Sequence, residues 1–306
     1  MANPLLSTDL NLANHVGKSW SKNIRGGVLA SLAGQDPQLK IGSTDHFTFT
    51  ATPKAELVGE GGNKSSNDGT PGKVTVKTYK VQITYRFSNE LMWADEDYQT
   101  QVVDGLVGNI ATALSRALDL LAIHGVNPKT GVVSGSISDY FTKAGNGVSQ
   151  VLATADPKAD LESAAEDLQG AGYIATGIAF DTVFAGQLAR TAVSDTDKRP
   201  LYPELGLGFG FSSFQGLQAA SSDTVSGRQE LAAEDVAVKA IMGDFRAFQW
   251  GVARNVPLET IQFGDPDGAG DLKRTNEIAI RAEAVLGFAI FDGAAFSLIT
   301  SSPASS

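Results

Sequence analysis

The amino-acid sequence predicts an α+β fold in which long antiparallel strands and one long helix flank a mixed α/β region. Three observations carry this. Tyr79, Val81, Ile83, Tyr85 and Phe87 alternate with Lys80, Gln82, Thr84 and Arg86, the period of a half-buried strand with one charged face. Tyr98, Val102, Leu106, Ile110, Leu114, Ala117, Leu118 and Leu121 recur at helical spacing and form one apolar stripe. From Ile241 onward, strand-like runs at 245–252, 256–263, 275–282 and 285–291 close the chain, with a turn at Asp265-Pro266-Asp267-Gly268.

Taken in order, residues 1–45 mix short apolar stretches with Gly26-Gly27, Gly34 and Asp36-Pro37, too interrupted for a compact unit, and read as an extended arm. Phe47, Phe49 and Ala51 then alternate with Thr48 and Thr50, predicting a first strand from His46 to about Val58. The stretch from Gly59 to Gly72 has almost no side chain that could pack and predicts a flexible loop tip. Val74 and Val76 lie on the opposite parity to Tyr79, which predicts a bulge or strong twist between Val76 and Tyr79. From Lys73 to Phe87 an extended chain spans roughly 50 Å at about 3.3 Å per residue. A hairpin of that reach is marginal alone, so the sequence implies support from a neighbouring subunit.

The helix that follows opens on Asp95, Glu96 and Asp97, where the backbone dipole favours negative charge, and ends at Gly125 and Pro128. At roughly 1.5 Å per residue it is about 40 Å long. Gln101, Asp104, Asn109, Thr112, Arg116 and Asp119 fill the face opposite the apolar stripe. Beyond it, Asp156 is placed to cap a helix with Pro157 at its first position, and Gly170 and Gly172 stop that helix. Residues 174–180 read as a strand, Asp181 caps a second helix over 182–191, and 195–203 is a charged, proline-bounded loop before the glycine-rich 206–211.

A chain of 306 residues, 42% apolar, can bury a substantial core. No run of eighteen apolar residues offers a membrane span, and Met1 to Leu10 lacks the pattern of a signal peptide, which points to synthesis and first assembly in the cytoplasm. The absence of cysteine removes disulfides, thiolate metal ligands and cysteine nucleophiles. A formal charge of −10 argues against a sequence-reading DNA binder, because phosphate contacts need clustered Lys and Arg. It is compatible with a container for DNA, since a wall that gripped phosphates strongly would oppose filling and release.

The order arm, long hairpin, long helix, mixed region and closing strands resembles the Hong Kong 97-type capsid fold of tailed-bacteriophage major capsid proteins, over nearly the whole chain. Val81 to Leu91, ending Ser88-Asn89-Glu90-Leu91, is similar to that family's passage from hairpin into helix. Lys198-Arg199-Pro200-Leu201-Tyr202 is similar to its Gly-Arg-Pro-Leu loop, with Lys198 where Gly is usual. Gly243-Asp244-Phe245, Ile280-Arg281-Ala282-Glu283, Gly287-Phe288-Ala289-Ile290-Phe291 and Ala295-Phe296 resemble its returning strands. The resemblance implies an N-terminal arm over 1–45, an E-loop hairpin over 46–88, a P-domain spine helix over 89–126, an A-domain over 127–243, and P-domain returning strands with a C-terminal tail over 244–306.

The same resemblance implies a structural protein and not an enzyme, one that forms hexamers and pentamers closing an icosahedral shell around double-stranded DNA, with a portal and without a membrane. Many relatives carry a long helical scaffolding segment before the hairpin; here about 45 residues stand there, which implies a separate scaffolding protein. Inter-subunit contacts are expected at Glu60, Lys64, Lys73, Lys77, Lys80 and Arg86 on the hairpin, received by Arg199, Arg281 and Glu283. Some relatives form a Lys–Asn isopeptide bond promoted by Glu, and Lys64, Asn276 and Glu283 stand at matching positions. Glu283 and Arg281 recur in relatives without that bond, so a non-covalent shell is expected. An encapsulin-like compartment packaging an enzyme shares the architecture and is the alternative; a monomeric hydrolase or ligand-binding protein would need a pocket with convergent polar groups.

Other chemistry finds little support. His15, His46 and His124 fall on separate elements without ligand spacing, so no metal or cofactor is expected. Gly206, Gly208 and Gly210 lack the context of a phosphate cradle, and the acid pairs Glu96-Asp97 and Glu166-Asp167 read as solvated helix faces. Trp20, Trp93 and Trp250 read as core or interface anchors.

Overall fold

The computed structural model describes residues 26–36, 39, 41–48, 54–66, 72–90, 96–194, 196–206, 210–231 and 238–301, with backbone alone at 96–104, 107 and 255–257. The first elements are α1 (Leu29–Leu32), β1 (Gly34–Gln35), β2 (Ser43–Thr48), β3 (Gly72–Ser88) and α2 (Glu96–Asp119). Then come β4 (Ser149–Leu152), α3 (Pro157–Gly170), β5 (Gly177–Phe180), α4 (Thr182–Ala189), β6 (Ser213–Phe214), β7 (Leu217–Ser221) and β8 (Val238–Gly243). The chain closes with β9 (Phe248–Ile261), α5 (Leu272–Thr275), β10 (Glu277–Ile290) and β11 (Phe296–Thr300).

Two sheets organise these elements. One has the order β1-β9-β10-β3-β2, and the other β4-β11-β8-β5-β7-β6. The 17-residue β3 pairs antiparallel with β10 from Lys77 to Ser88 and with β2 from Gly72 to Lys77. Neither ladder carries a register shift, so the bulge expected between Val76 and Tyr79 is absent. The parity change has another cause: the strand buries its two faces in succession. Val76 packs on one side with Leu39 and Ala289, whereas Tyr79 and Val81, then Ile83, Tyr85 and Phe87, pack on the other.

The ladder between β9 and β10 is where the register does shift, between Arg281 and Glu283 and between Val285 and Leu286. Each shift places one extra residue on β9, a bulge that bends a strand without ending it. The four closing runs expected from the sequence are therefore two continuous 14-residue strands, followed by β11. Pro257, which has no N–H to give to a ladder, falls within the first bulge. β2 is also shorter than expected: it spans Ser43–Thr48, residues 54–58 are outside any strand, and residues 49–53 lie outside the described set.

Residues 26–36 pack on the body of the subunit. Val28, Leu29 and Leu32 are buried in the main core, and β1 runs parallel to β9 at Gln249 and Trp250. The long helix forms as expected, with α2 passing into a π-turn at Leu120–His124 and stopping at Gly125, whose φ of +64° is the left-handed conformation that suits glycine. α3 and α4 start where the sequence places them. Asp156 accepts the Lys158 N–H, and Asp181 accepts those of Val183 and Phe184. The strand expected over 174–180 is limited to Gly177–Phe180.

The mixed region does not complete its own sheet: β11, from the far end of the described chain, lies between β4 and β8. Phe141 joins the two sheets, its ring centroid 5.3 Å from Phe248 on β9 and 4.9 Å from Phe296 on β11. A second core lies where α3 and α4 cover the six-stranded sheet through Leu161, Leu168, Phe180, Phe184 and Met242. A Cβ at position 125 would lie 2.5 Å from Tyr140 Cδ1. Gly125→Ala combines that clash with left-handed strain and is expected to destabilise the unassembled subunit by at least about 2 kcal/mol, read as a lower midpoint in urea.

Candidate functional site

The hairpin stem is β2 with the first residues of β3, and its tip is the exposed stretch 54–66. Gly62 N–H bonds to the Gly59 carbonyl, and Glu56 accepts both the N–H (3.0 Å) and the hydroxyl (2.6 Å) of Ser65, which closes the tip on itself. Glu60 and Lys64 are exposed there, and Lys77 is exposed on β3. Lys73 is paired with Asp45 on β2 at 2.9 Å, and Lys80 with Glu283 on β10 at 2.9 Å. Arg199 bonds to Asp197 two residues away and is otherwise exposed.

Arg86 does not belong to the exposed set. Its side chain is 4% exposed and is held by Glu277 (2.9 Å), Asp265 (3.4 Å), Asp267 and the Gly270 carbonyl (2.9 Å). The hydrogen bond from Arg86 holds Asp267 below the usual carboxylate range. The reason is topological: pairing of β3 with β10 lays Arg86 beside the turn joining β9 to β10, whose carboxylates close over it. Arg281 also stays within its subunit, donating to Thr84 Oγ1 (3.2 Å) and the Pro266 carbonyl. Lys64, Asn276 and Glu283 do not converge in one chain. Asn276 caps α5 just before β10 and Glu283 lies seven residues further on, roughly 20 Å along the strand at about 3.3 Å per residue, and Lys80 already occupies the Glu283 carboxylate.

A second charged cluster lies on α2, where the residue pattern predicts a solvated face. Arg116 and Asp119, expected on a polar outer face, are 5% and 0% exposed because the segment 26–33 and the turns at 222–231 cover that face. Asp119 accepts the N–H groups of Val28 (2.7 Å) and Leu29 (3.1 Å) and the Thr224 hydroxyl, while Ser115 Oγ accepts the Gly27 N–H at 2.9 Å. Gly27 permits this approach, since a Cβ there would lie 2.5 Å from the Ser115 carbonyl oxygen. Arg116 bonds to Asp223 (2.7 Å) and Glu230, His124 Nε2 donates to the Thr224 carbonyl (3.1 Å), and Asp181 accepts from Ser226 (2.7 Å) and Arg228 (3.4 Å). A sequence signal existed only in the density of polar residues over 222–230, which cannot by itself name its partners.

Burial raises Asp119 to about 6 against the opposing pull of Thr224, the Val28 and Leu29 N–H groups and Arg116. Burial lowers His124 to about 4, opposed by the backbone of Thr224 and Val225. Elsewhere, a groove of 660 Å³ lies between α3 and the β6–β7 hairpin, lined by Leu161, Leu168, Tyr202, Phe214 and Met242. At its rim Lys158 and Glu162 pair with each other at 3.4 Å, so charged groups do not converge on its floor. Among the described residues no group of three His, Asp or Glu side chains could hold a metal ion, and no helix is long and apolar enough to cross a membrane. His15, Trp20 and Trp93 lie outside the described residues, and Trp250 packs partly buried against the main core.

The subunit is thus a sheet that carries a hairpin with an exposed tip and has a long helix packed against it. The chain is a member of the Phage capsid family, whose model matches residues 24–301. A solved structure from Mycobacterium phage Ogopogo is 39% identical, with a TM-score of 0.82 over 96% of this chain and 98% of that one. One from Gordonia phage Cozz is 27% identical, with a TM-score of 0.77 over 94% and 90% of the two chains. The capsid of an empty GTA particle, 17% identical, shares the fold at a TM-score of 0.56 over 92% and 94%. No curated protein matches the chain. The protein is a major capsid protein, a component of the virion's shell, and these matches favour that role over an enzyme-packaging compartment.

Two measurements test the buried charges. Asp119 binds its proton more tightly folded than unfolded, so its contribution is full below its unfolded value of 3.8 and is lost as pH rises through about 6. His124 behaves oppositely: its contribution is present above 6.5 and is lost as pH falls toward about 4. Each amounts to about 3 kcal/mol at 1.36 kcal/mol per unit, and they oppose each other across the same window. Asp119→Asn is expected to steepen the loss of stability between pH 6.5 and 4, and His124→Gln to reverse its sign, as followed by urea unfolding at each pH. Separately, Arg86→Ala leaves the carboxylates of Asp267 and Glu277 uncompensated and is expected to cost about 3 kcal/mol or more, seen as a lower midpoint at pH 7.

Proposed function

We propose that the chain assembles in the Hong Kong 97 manner, as hexamers and pentamers that close an icosahedral head around double-stranded DNA. The observation that carries this reading is the double duty of β3, which is anchored along β10 of its own subunit from Lys77 to Ser88 and forms one side of the β2–β3 hairpin before that. A hairpin rooted so firmly can bear load when it lies over an adjacent copy. In this reading residues 46–88 serve as the E-loop, 89–126 as the spine of the P-domain, and 127–243 as the A-domain, with residues 1–45 as the arm and 244–306 as the returning strands and tail.

Two contacts refine this scheme. Residues 26–36 act as the fastening of the arm to the body, and β11 serves the sheet of the A-domain. Holding between copies falls to exposed charges such as Glu60, Lys64, Lys77 and Arg199, each worth about 0–1 kcal/mol, so that strength comes from repetition and weak contacts leave room for correction. Occupation of Glu283 by Lys80 supports a shell without isopeptide bonds. A separate scaffolding protein guides assembly in the host cytoplasm, a portal admits the genome, and the acidic subunit encloses DNA without reading it.

Negative-stain images of purified particles are expected to show closed icosahedral shells, and particles boiled in detergent to run as monomer on a gel. Expression of this chain alone is expected to give irregular or open assemblies; uniform closed shells of native size would remove the separate scaffold from the scheme.

A further inference from the structure

Single exposed apolar side chains are ordinary on protein surfaces, and a local contact can account for one. Phe263, 68% exposed, carries the Lys273 ammonium 4.7 Å from its ring centroid. Leu57 differs. It is 100% exposed, it lies in the tip of the hairpin, and the two bonds from Ser65 to its neighbour Glu56 fix the backbone that presents it. On its other side Val58 packs against the turn, where a Cβ at Gly62 would meet its Cγ1 at 3.0 Å, so the apolar side chain that could fold inward has done so and Leu57 is left outside. A leucine held in water on a closed turn is an anchor ordered before its partner arrives, which lowers the entropy lost on contact.

We propose that Leu57 is the apolar anchor by which the hairpin tip docks on a second copy of this chain, with the Glu56–Ser65 bonds as the device that presents it. The inference rests on the reading that the hairpin lies over an adjacent copy, and it adds which atom group carries the contact. The flanking Lys54, Glu60 and Lys64 are exposed and alternate in sign, so they suit the polar rim of such a contact while the leucine supplies its desolvated centre.

The chain contains no cysteine, so Leu57→Cys introduces a unique thiol in the full-length protein. Its reaction with a maleimide would be timed in free subunits and in assembled shells, alongside the assembly threshold of Leu57→Ser and Leu57→Met. Because Leu57 touches nothing in its own subunit, the substitutions should leave the thermal unfolding of the free subunit unchanged. Leu57→Ser is expected to raise the concentration needed for shells by roughly tenfold to a hundredfold, Leu57→Met to stay near the parent, and the thiol to react at least about tenfold more slowly in shells. A protected thiol with normal assembly of Leu57→Ser would overturn the anchor and leave the hairpin's position over its neighbour intact. A thiol that reacts equally fast in both states would overturn the anchor and the hairpin's placement together.

Discussion

Strand β10 is the constraint on which the rest of the subunit depends. It is hydrogen-bonded on both sides, to β3 at twelve positions and to β9 at eleven, and is buried along most of its length. Because side chains alternate with a period of two, a one-residue slip on either ladder would turn a whole apolar set toward water, so the registers of β3 and β9 are fixed together. That fixes the root of the hairpin, sets Lys80 against Glu283, and brings Arg86 beneath the turn between β9 and β10.

Buried charge plays a different part. The Arg86 and Arg116 clusters each gather two or three carboxylates around one guanidinium, whose planar fork can serve several acceptors at once. Desolvation consumes most of the Coulombic gain from such clusters, so their main effect is to make other arrangements costly. At α2 that effect fixes where two irregular segments lie: 26–33 is held by backbone N–H groups on Ser115 and Asp119, and 222–230 by side chains on Arg116, His124 and Asp181. Neither segment has a regular ladder of its own long enough to do this.

Periodicity was legible where one element meets one environment. The helix with its glycine stop, the caps at Asp156 and Asp181 and the long β3 follow from local sequence, because their determinants are side chains within a turn or two. It misled where environments change along an element or where distant segments cover a face. Val74 and Val76 suggested a bulge because a strand buried first on one face and then on the other has the same pattern. The break near residues 253–255 suggested a strand end because a bulge on β9 interrupts apolar alternation without ending the ladder, and the one at 283–284 because Glu283 pairs with Lys80 inside a continuous strand. Arg86, Arg116 and Asp119 were expected to face outward for a similar reason: charge density alone does not reveal that a loop nearly two hundred residues away, at Asp265 and Asp267, will close over Arg86. The assembly surface was the least legible, because the tip that separates Leu57 from Val58 is set by one carboxylate and one serine.

The position of β11 orders events in time. Residues 296–300 occupy an interior place between β4 and β8, so the six-stranded sheet has a gap until synthesis has passed residue 300. A nascent chain shorter than that lacks a finished body, which holds back every contact that needs the completed sheet.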